Sequence, residues 1–239
     1  VQKRGYIKSG KASGYMRYIA TREGVEKLAG NGSVTKGQRE LIQKLLTDFP
    51  DAVELFEYED YCKTPTLGTA SAFITMALDA NLHGIDSESG YMQYIATRPR
   101  VQKRGTHGLF SSASAVDLTL AMSELEAHEG NVWTIIYSLR REDAARLEYD
   151  NADAWRALLM ENAPTLAKSM KISLENFHWY AAFHDEGHHP HIHMMAWSDD
   201  PKEGFLTKDG IAAMRSKLTN AIFRDEMQQI YERKDVAYS

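Results

Sequence analysis

The stretch from Phe177 to Trp197 limits the possible folds more than any other part of the chain. Six of the nine histidines lie in it. Two apolar, aromatic-rich runs flank a short polar centre that holds Gly187 and Pro190. That pattern reads as a β-hairpin. Alternate residues of a strand share a face, so His191 and His193 project together with Ile192 opposite. His178, Tyr180, Ala182 and His184 share one face of the first strand, and Phe177, Trp179, Ala181 and Phe183 take the other. The turn Asp185–Pro190 folds His184 back beside the His191/His193 pair. Three imidazoles then converge, a donor set for a divalent transition metal with coordination positions left open. A histidine-rich turn can also be a solvated loop. His-x-His in a strand with a third histidine across a tight turn is a more specific signal than a histidine count. His188 and His189 sit in the turn and are expected to face water or DNA. His178 is expected to be a neighbour and not a ligand.

Length and composition fit one large domain or two small ones, with 239 residues, 43% hydrophobic and 26% charged. No apolar run reaches the length of a membrane span, and no signal peptide is visible. The single cysteine, Cys62, cannot form an internal disulfide, which suits a reducing cytoplasm. The net charge of −5 argues against nucleic acid until its distribution is considered. Residues 1–44 hold ten Lys/Arg and three Asp/Glu, whereas residues 45–97 hold one Lys and nine acids. Arg98, Arg100, Lys103 and Arg104 then follow with no acid among them. Local basic segments matter more than the total for phosphate binding.

In chain order, Arg4–Lys8 is a short strand candidate, and Tyr15–Leu28 reads as a helix with Ser13 as a plausible N-cap. Tyr15, Tyr18, Ile19 and Arg22 share one helical face. Thr35–Phe49 is an amphipathic helix with Leu41, Ile42, Leu45 and Leu46 as its stripe, stopped by Pro50. Asp51–Tyr61 is a short helix candidate and Ser71–Asn81 another. An internal repeat follows: Gly14–Arg22 recurs as Gly90–Arg98 with eight of nine positions identical. Two copies this far apart do not make a solenoid. They are one packing element used twice, or two tyrosines offered to one site, or one catalytic copy and one DNA-gripping copy. Ala113–Glu129 is a helix, Val132–Leu139 a strand, Ala152–Met170 a helix, and Thr207–Lys234 one long helix or two. From Val132 onward this order predicts an antiparallel sheet backed by helices, an α+β layer fold.

A three-histidine metal site, a helix tyrosine and surrounding Arg/Lys point to one chemistry. A metal held by neutral imidazoles binds phosphate oxygens and withdraws charge from phosphorus. A tyrosyl oxygen can then attack in line, giving a covalent phosphotyrosine and a free 3′-hydroxyl.

These residues carry a resemblance. His184-Asp185-Glu186-Gly187-His188-His189-Pro190-His191-Ile192-His193 resembles the third motif of HUH-type conjugative relaxases. Tyr18-Ile19-Ala20-Thr21-Arg22-Glu23-Gly24 resembles the nucleophile motif of the MOBP class. The spacer, the second Tyr-Ile-Ala-Thr-Arg and the His107-Gly108-Leu109-Phe110 segment look like mobilisation relaxases of Gram-positive plasmids and integrative elements. The resemblance implies a single relaxase domain over residues 1–239: a central antiparallel sheet flanked by helices, with a helical insertion at about 30–89. It implies strand- and site-specific nicking and strand transfer at an origin of transfer, on single-stranded DNA, with other transfer proteins as partners, in the bacterial cytoplasm. The cofactor would be Mn²⁺ or Mg²⁺. Carried over, His184, His191 and His193 are the metal ligands and Tyr18 the nucleophile, because it follows a strand and keeps the Arg-Glu-Gly continuation. Tyr94 is its rival. The family commonly has Asn before the Pro, where His189 stands here. A carboxylate that orients a ligand histidine is expected, with Asp143, Asp185 and Glu186 as candidates. Arg22, Arg98, Arg140 and Arg141 are candidate DNA phosphate contacts. Two other readings remain: a histidine-triad nucleotide hydrolase with His191 as nucleophile and no metal, and a replication initiator of the same HUH chemistry. A non-enzymatic DNA-binding module would bind oligonucleotides without cutting them.

Overall fold

The structure, a computed structural model, describes residues 32–80, 88–98, 100–185, 189–224 and 226. The strand expected at Arg4–Lys8, the helix at Tyr15–Leu28, and with them Tyr18 and Arg22, lie outside the described residues. The chain divides into two compact units, Val1–Tyr91 and Met92–Ser239.

The described part of the first unit is helical. Helix α1 (Lys36–Asp48) starts at a capping box, in which Thr35 caps the Gln38 N–H and the Gln38 side chain returns to Thr35. A 3₁₀ turn (Pro50–Glu54) follows, then α2 (Phe56–Lys63) and α3 (Leu67–Ala80). Their core gathers Val34, Ile42, Leu45, Ala52, Ala70, Phe73 and Ala77, with Tyr61 stacked on Phe73 at 6.4 Å and 17°. Leu41, expected in the stripe of α1, is 39% exposed. Ile42 and Leu45 span less than one turn and suffice for a face that meets α3 and the 3₁₀ turn.

Helix α4 (Glu88–Thr97) carries the second Tyr-Ile-Ala-Thr-Arg copy. Within the second unit the chain continues through β1 (Leu109–Phe110), α5 (Leu118–Glu126), β2 (Trp133–Ser138) and α6 (Arg141–Arg146). After these come α7 (Ala152–Ser169), a 3₁₀ turn (Leu174–Asn176), β3 (Phe177–His184), β4 (His191–Ser198) and α8 (Lys208–Ile222). The four strands form one antiparallel sheet in the order β1-β3-β4-β2. The fold is the α+β arrangement expected, a central antiparallel sheet with flanking helices.

Register follows from the pleat. His184 opposes His191 and Ala182 opposes His193 across the hairpin, while Ser138 opposes His191 from β2. The alternate residues Trp179, Ala181, Phe183, Ile192, Met194 and Ala196 face the main core, with Trp155, Leu158, Leu159 and Leu166 of α7 and Met214 and Leu218 of α8. Slipping the hairpin by one residue would exchange the imidazoles with this apolar set, so core burial fixes where the histidines point.

Candidate metal centre

His184, His191 and His193 are each 0% exposed. Their ring centroids form a nearly equilateral triangle of 5.2, 5.0 and 4.7 Å. Each offers one ring nitrogen, and the three atoms lie within 4.8 Å of one another. Two strands and one tight turn achieve this, as the alternation of the sequence implies.

The outward nitrogens of His184 and His191 are held by carbonyl oxygens, which only accept. Nε2 of His184 donates to the Ile95 carbonyl at 2.8 Å, and Nδ1 of His191 donates to the His189 carbonyl at 3.0 Å. These bonds fix the tautomers and leave Nδ1 of His184 and Nε2 of His191 as the atoms available to a metal. Nδ1 of His184 is buried with no hydrogen-bond partner, an unmet acceptor of the kind a cation satisfies. Burial holds the His184 pKa well below the ordinary imidazole value. The Arg98 guanidinium and then His191 push the same way, against the Ile95 hydrogen bond. His184 is therefore neutral at physiological pH, the form that ligates. Three imidazoles in that form would fit a borderline divalent ion with open positions for a substrate.

For His184 and His191 the partner is a backbone carbonyl and not one of the expected carboxylates. Asp143 accepts from Arg146, Asp185 pairs with Arg141 at 2.6 Å, and Glu186 lies outside the described residues. His189 departs from expectation as well, being 7% exposed. The residue after it is bonded to the strand beside it, Leu139 N–H donating to the Pro190 carbonyl at 3.1 Å. His188 lies outside the described residues. His178 is the neighbour expected. It sits about 20 Å along β3 from His184, six residues at strand rise. There it bonds Asp199 at 2.7 Å and stacks on Trp197.

Helix α4 ends at the centre. Beside the Ile95 carbonyl, Val101 bridges His184 along the free edge of β3, and Gln102 N–H donates to the Phe183 carbonyl at 2.9 Å. Arg98 is 9% exposed, with its guanidinium carbon 5.4 Å from the Tyr94 ring centre. Arg140 is the N-cap of α6. Two other tyrosines on the sheet are held as phenols. Tyr180 is pushed up to about 12 by burial and its hydrogen bond to Glu124, and Tyr137 is raised further by burial on the core side.

Sequence reasoning missed three contributors. The Ile95 carbonyl is a backbone group, invisible to a search for side chains. Ser138 has a buried hydroxyl with no hydrogen-bond partner and lies beside His191 in register, which a lone strand does not reveal. Gly108 packs so closely that an added Cβ would stand 2.1 Å from Val101 Cγ2. The Gly in His-Gly-Leu-Phe was its one visible signal.

Fold and site together define the class: an α+β protein with a buried imidazole trio on one face of its sheet and a helical core on the other. The family model of MobL relaxases matches residues 4–238, and the chain belongs to the MobL relaxase family. It is thus a relaxase, a DNA-nicking enzyme of mobilisation that binds single-stranded DNA. No curated protein and no solved structure matches the chain.

Proposed function

We propose that this relaxase is of the HUH type and the MOBP class. It nicks one strand at an origin of transfer by metal-assisted transesterification, with Tyr18 as nucleophile. The observation that carries the proposal is the buried trio of His184, His191 and His193 with its ligand atoms within 4.8 Å. A bound Mn²⁺ or Mg²⁺ ion would draw charge from the scissile phosphate. The Tyr18 oxygen forms a bond to phosphorus as the bond from phosphorus to the 3′-oxygen breaks. The phenol proton is lost and the leaving oxygen takes one up, giving a 5′-phosphotyrosine and a free 3′-hydroxyl. The phosphoester is conserved, so a second strand end can reverse the step. Neutral imidazoles leave the positive charge of the ion undiminished, and buried Arg98 stands beside them to meet a phosphate. Arg22, Arg140 and Arg141 are assigned to the DNA backbone, and residues 30–89 to a helical insertion in one relaxase domain acting in the bacterial cytoplasm with other transfer proteins. Family membership favours nicking over nucleotide hydrolysis.

The test is Tyr18→Phe beside Tyr94→Phe, with Mn²⁺ and a single-stranded oligonucleotide spanning the transfer origin. Tyr18→Phe is expected to bind the oligonucleotide and form no covalent adduct, while Tyr94→Phe keeps the adduct. The reverse pattern moves the nucleophile to Tyr94.

A further inference from the structure

The duplicated segment has a division of labour written into one position. In an α-helix the carbonyl of residue i accepts the N–H of residue i+4. The Tyr94 carbonyl does so, taking the Arg98 N–H at 3.0 Å. The donor owed to the Ile95 carbonyl is residue 99, and residue 99 is proline, which has no N–H. The Ile95 carbonyl turns instead to His184 Nε2 at 2.8 Å. The next carbonyl, that of Ala96, accepts the Gly108 N–H at 2.7 Å, tying the helix end to the edge of the sheet. The first copy differs at this point: Glu23 stands where the second has Pro99, and a glutamate keeps the backbone N–H that proline lacks. A second block also recurs, in the opposite order: Val101–Gly105 repeats Val1–Gly5 but follows its Tyr-Ile-Ala-Thr-Arg block where the first precedes it. In the second copy both blocks meet at His184, through the Ile95 carbonyl and through Val101.

We propose that the second Tyr-Ile-Ala-Thr-Arg copy is the positioning element of the metal centre. Pro99 frees the Ile95 carbonyl to hold His184 as the Nε2–H tautomer, which presents Nδ1 to the ion. The first copy, without the proline, is left to supply the nucleophile. The inference rests on reading the trio as a metal centre, and its test separates the two.

The test uses the full chain labelled with ¹⁵N-histidine. In the metal-free wild type, the nitrogen shifts of His184 are expected to show a protonated Nε2 and a bare Nδ1. Pro99→Ala restores an N–H that competes for the Ile95 carbonyl. It is expected to shift the tautomer balance and weaken Mn²⁺ binding, measured by calorimetry, by about 10- to 100-fold. Its circular dichroism is expected to stay that of the wild type. A wild-type His184 protonated at Nδ1 overturns the proposal even if Pro99→Ala does not fold. So does a folded Pro99→Ala with wild-type tautomer and wild-type Mn²⁺ affinity. A wild type that binds no Mn²⁺ overturns the metal reading instead, and the tautomer of His184 still decides what the carbonyl does.

Discussion

At the scale of the residue, the centre depends on imidazoles kept neutral, dry and correctly turned. His191→Ala removes a proposed ligand from the face of the sheet opposite the main core. Its Mn²⁺ affinity is expected to fall by more than about 100-fold, since losing even a partner of a ligand costs 10 to 100. Its circular dichroism should match the wild type, and wild-type affinity by calorimetry would remove His191 from the ligand set. A second residue-scale prediction concerns Glu203, whose carboxylate accepts hydrogen bonds from Ser198 and Ser173, from the Ser173 backbone, and from Asn176. The Ser198 bond, followed by that of Ser173, holds its pKa below the ordinary value. A carboxyl lowered by folding stabilises above its unfolded pKa, and that contribution fades as pH falls through the folded one. Glu203→Gln should therefore lower the melting temperature at neutral pH, with the gap to wild type closing as pH falls below the ordinary carboxylate range. A gap that stays constant with pH would show that the carboxylate charge is not what the four donors recognise.

At the scale of the element, the hairpin and the edge strand place the trio. Gly108→Ala would press a methyl group onto Val101, which bridges His184. Overpacking of this kind costs about 1–3 kcal/mol, and here it should also weaken Mn²⁺ binding, because Val101 must move. Loss of stability in urea with unchanged metal affinity would show that the edge segment is not coupled to the centre. Trp155→Ala, in the fully buried face of α7, is expected to cost about 3–5 kcal/mol in urea titration. The elements differ in how well they could be read from sequence. The hairpin was legible because period-two alternation, aromatic content and a Gly/Pro turn all agree over 21 residues. Helices α1 and α7 were legible through Thr35 and through the apolar face that starts at Ala152. Strand β1 has two residues and α6 has six, too few to show a period. The burial of His189 and the role of the Ile95 carbonyl depend on which strand and which helix end lie next to the turn, and local sequence does not encode that.

At the scale of the whole molecule, the relaxase family spans nearly the full chain. The proposed nucleophile lies in the basic first 44 residues of the sequence and the imidazole trio in the hairpin. The imidazole cluster was legible in the sequence, since its three histidines sit within ten residues of one strand pair. The proposed nucleophile, Tyr18, is 166 residues from His184 in sequence and has a near-identical rival in Tyr94, so sequence spacing alone does not choose between them. The most direct measurement incubates the protein with Mn²⁺ and single-stranded oligonucleotides tiling the transfer region. The covalent adduct is then resolved on a denaturing gel and the modified peptide identified by mass spectrometry. The account predicts an adduct on the Tyr18 peptide that disappears with a chelator and in His191→Ala. An adduct that forms equally well without divalent metal, or in a folded His191→Ala, would contradict it.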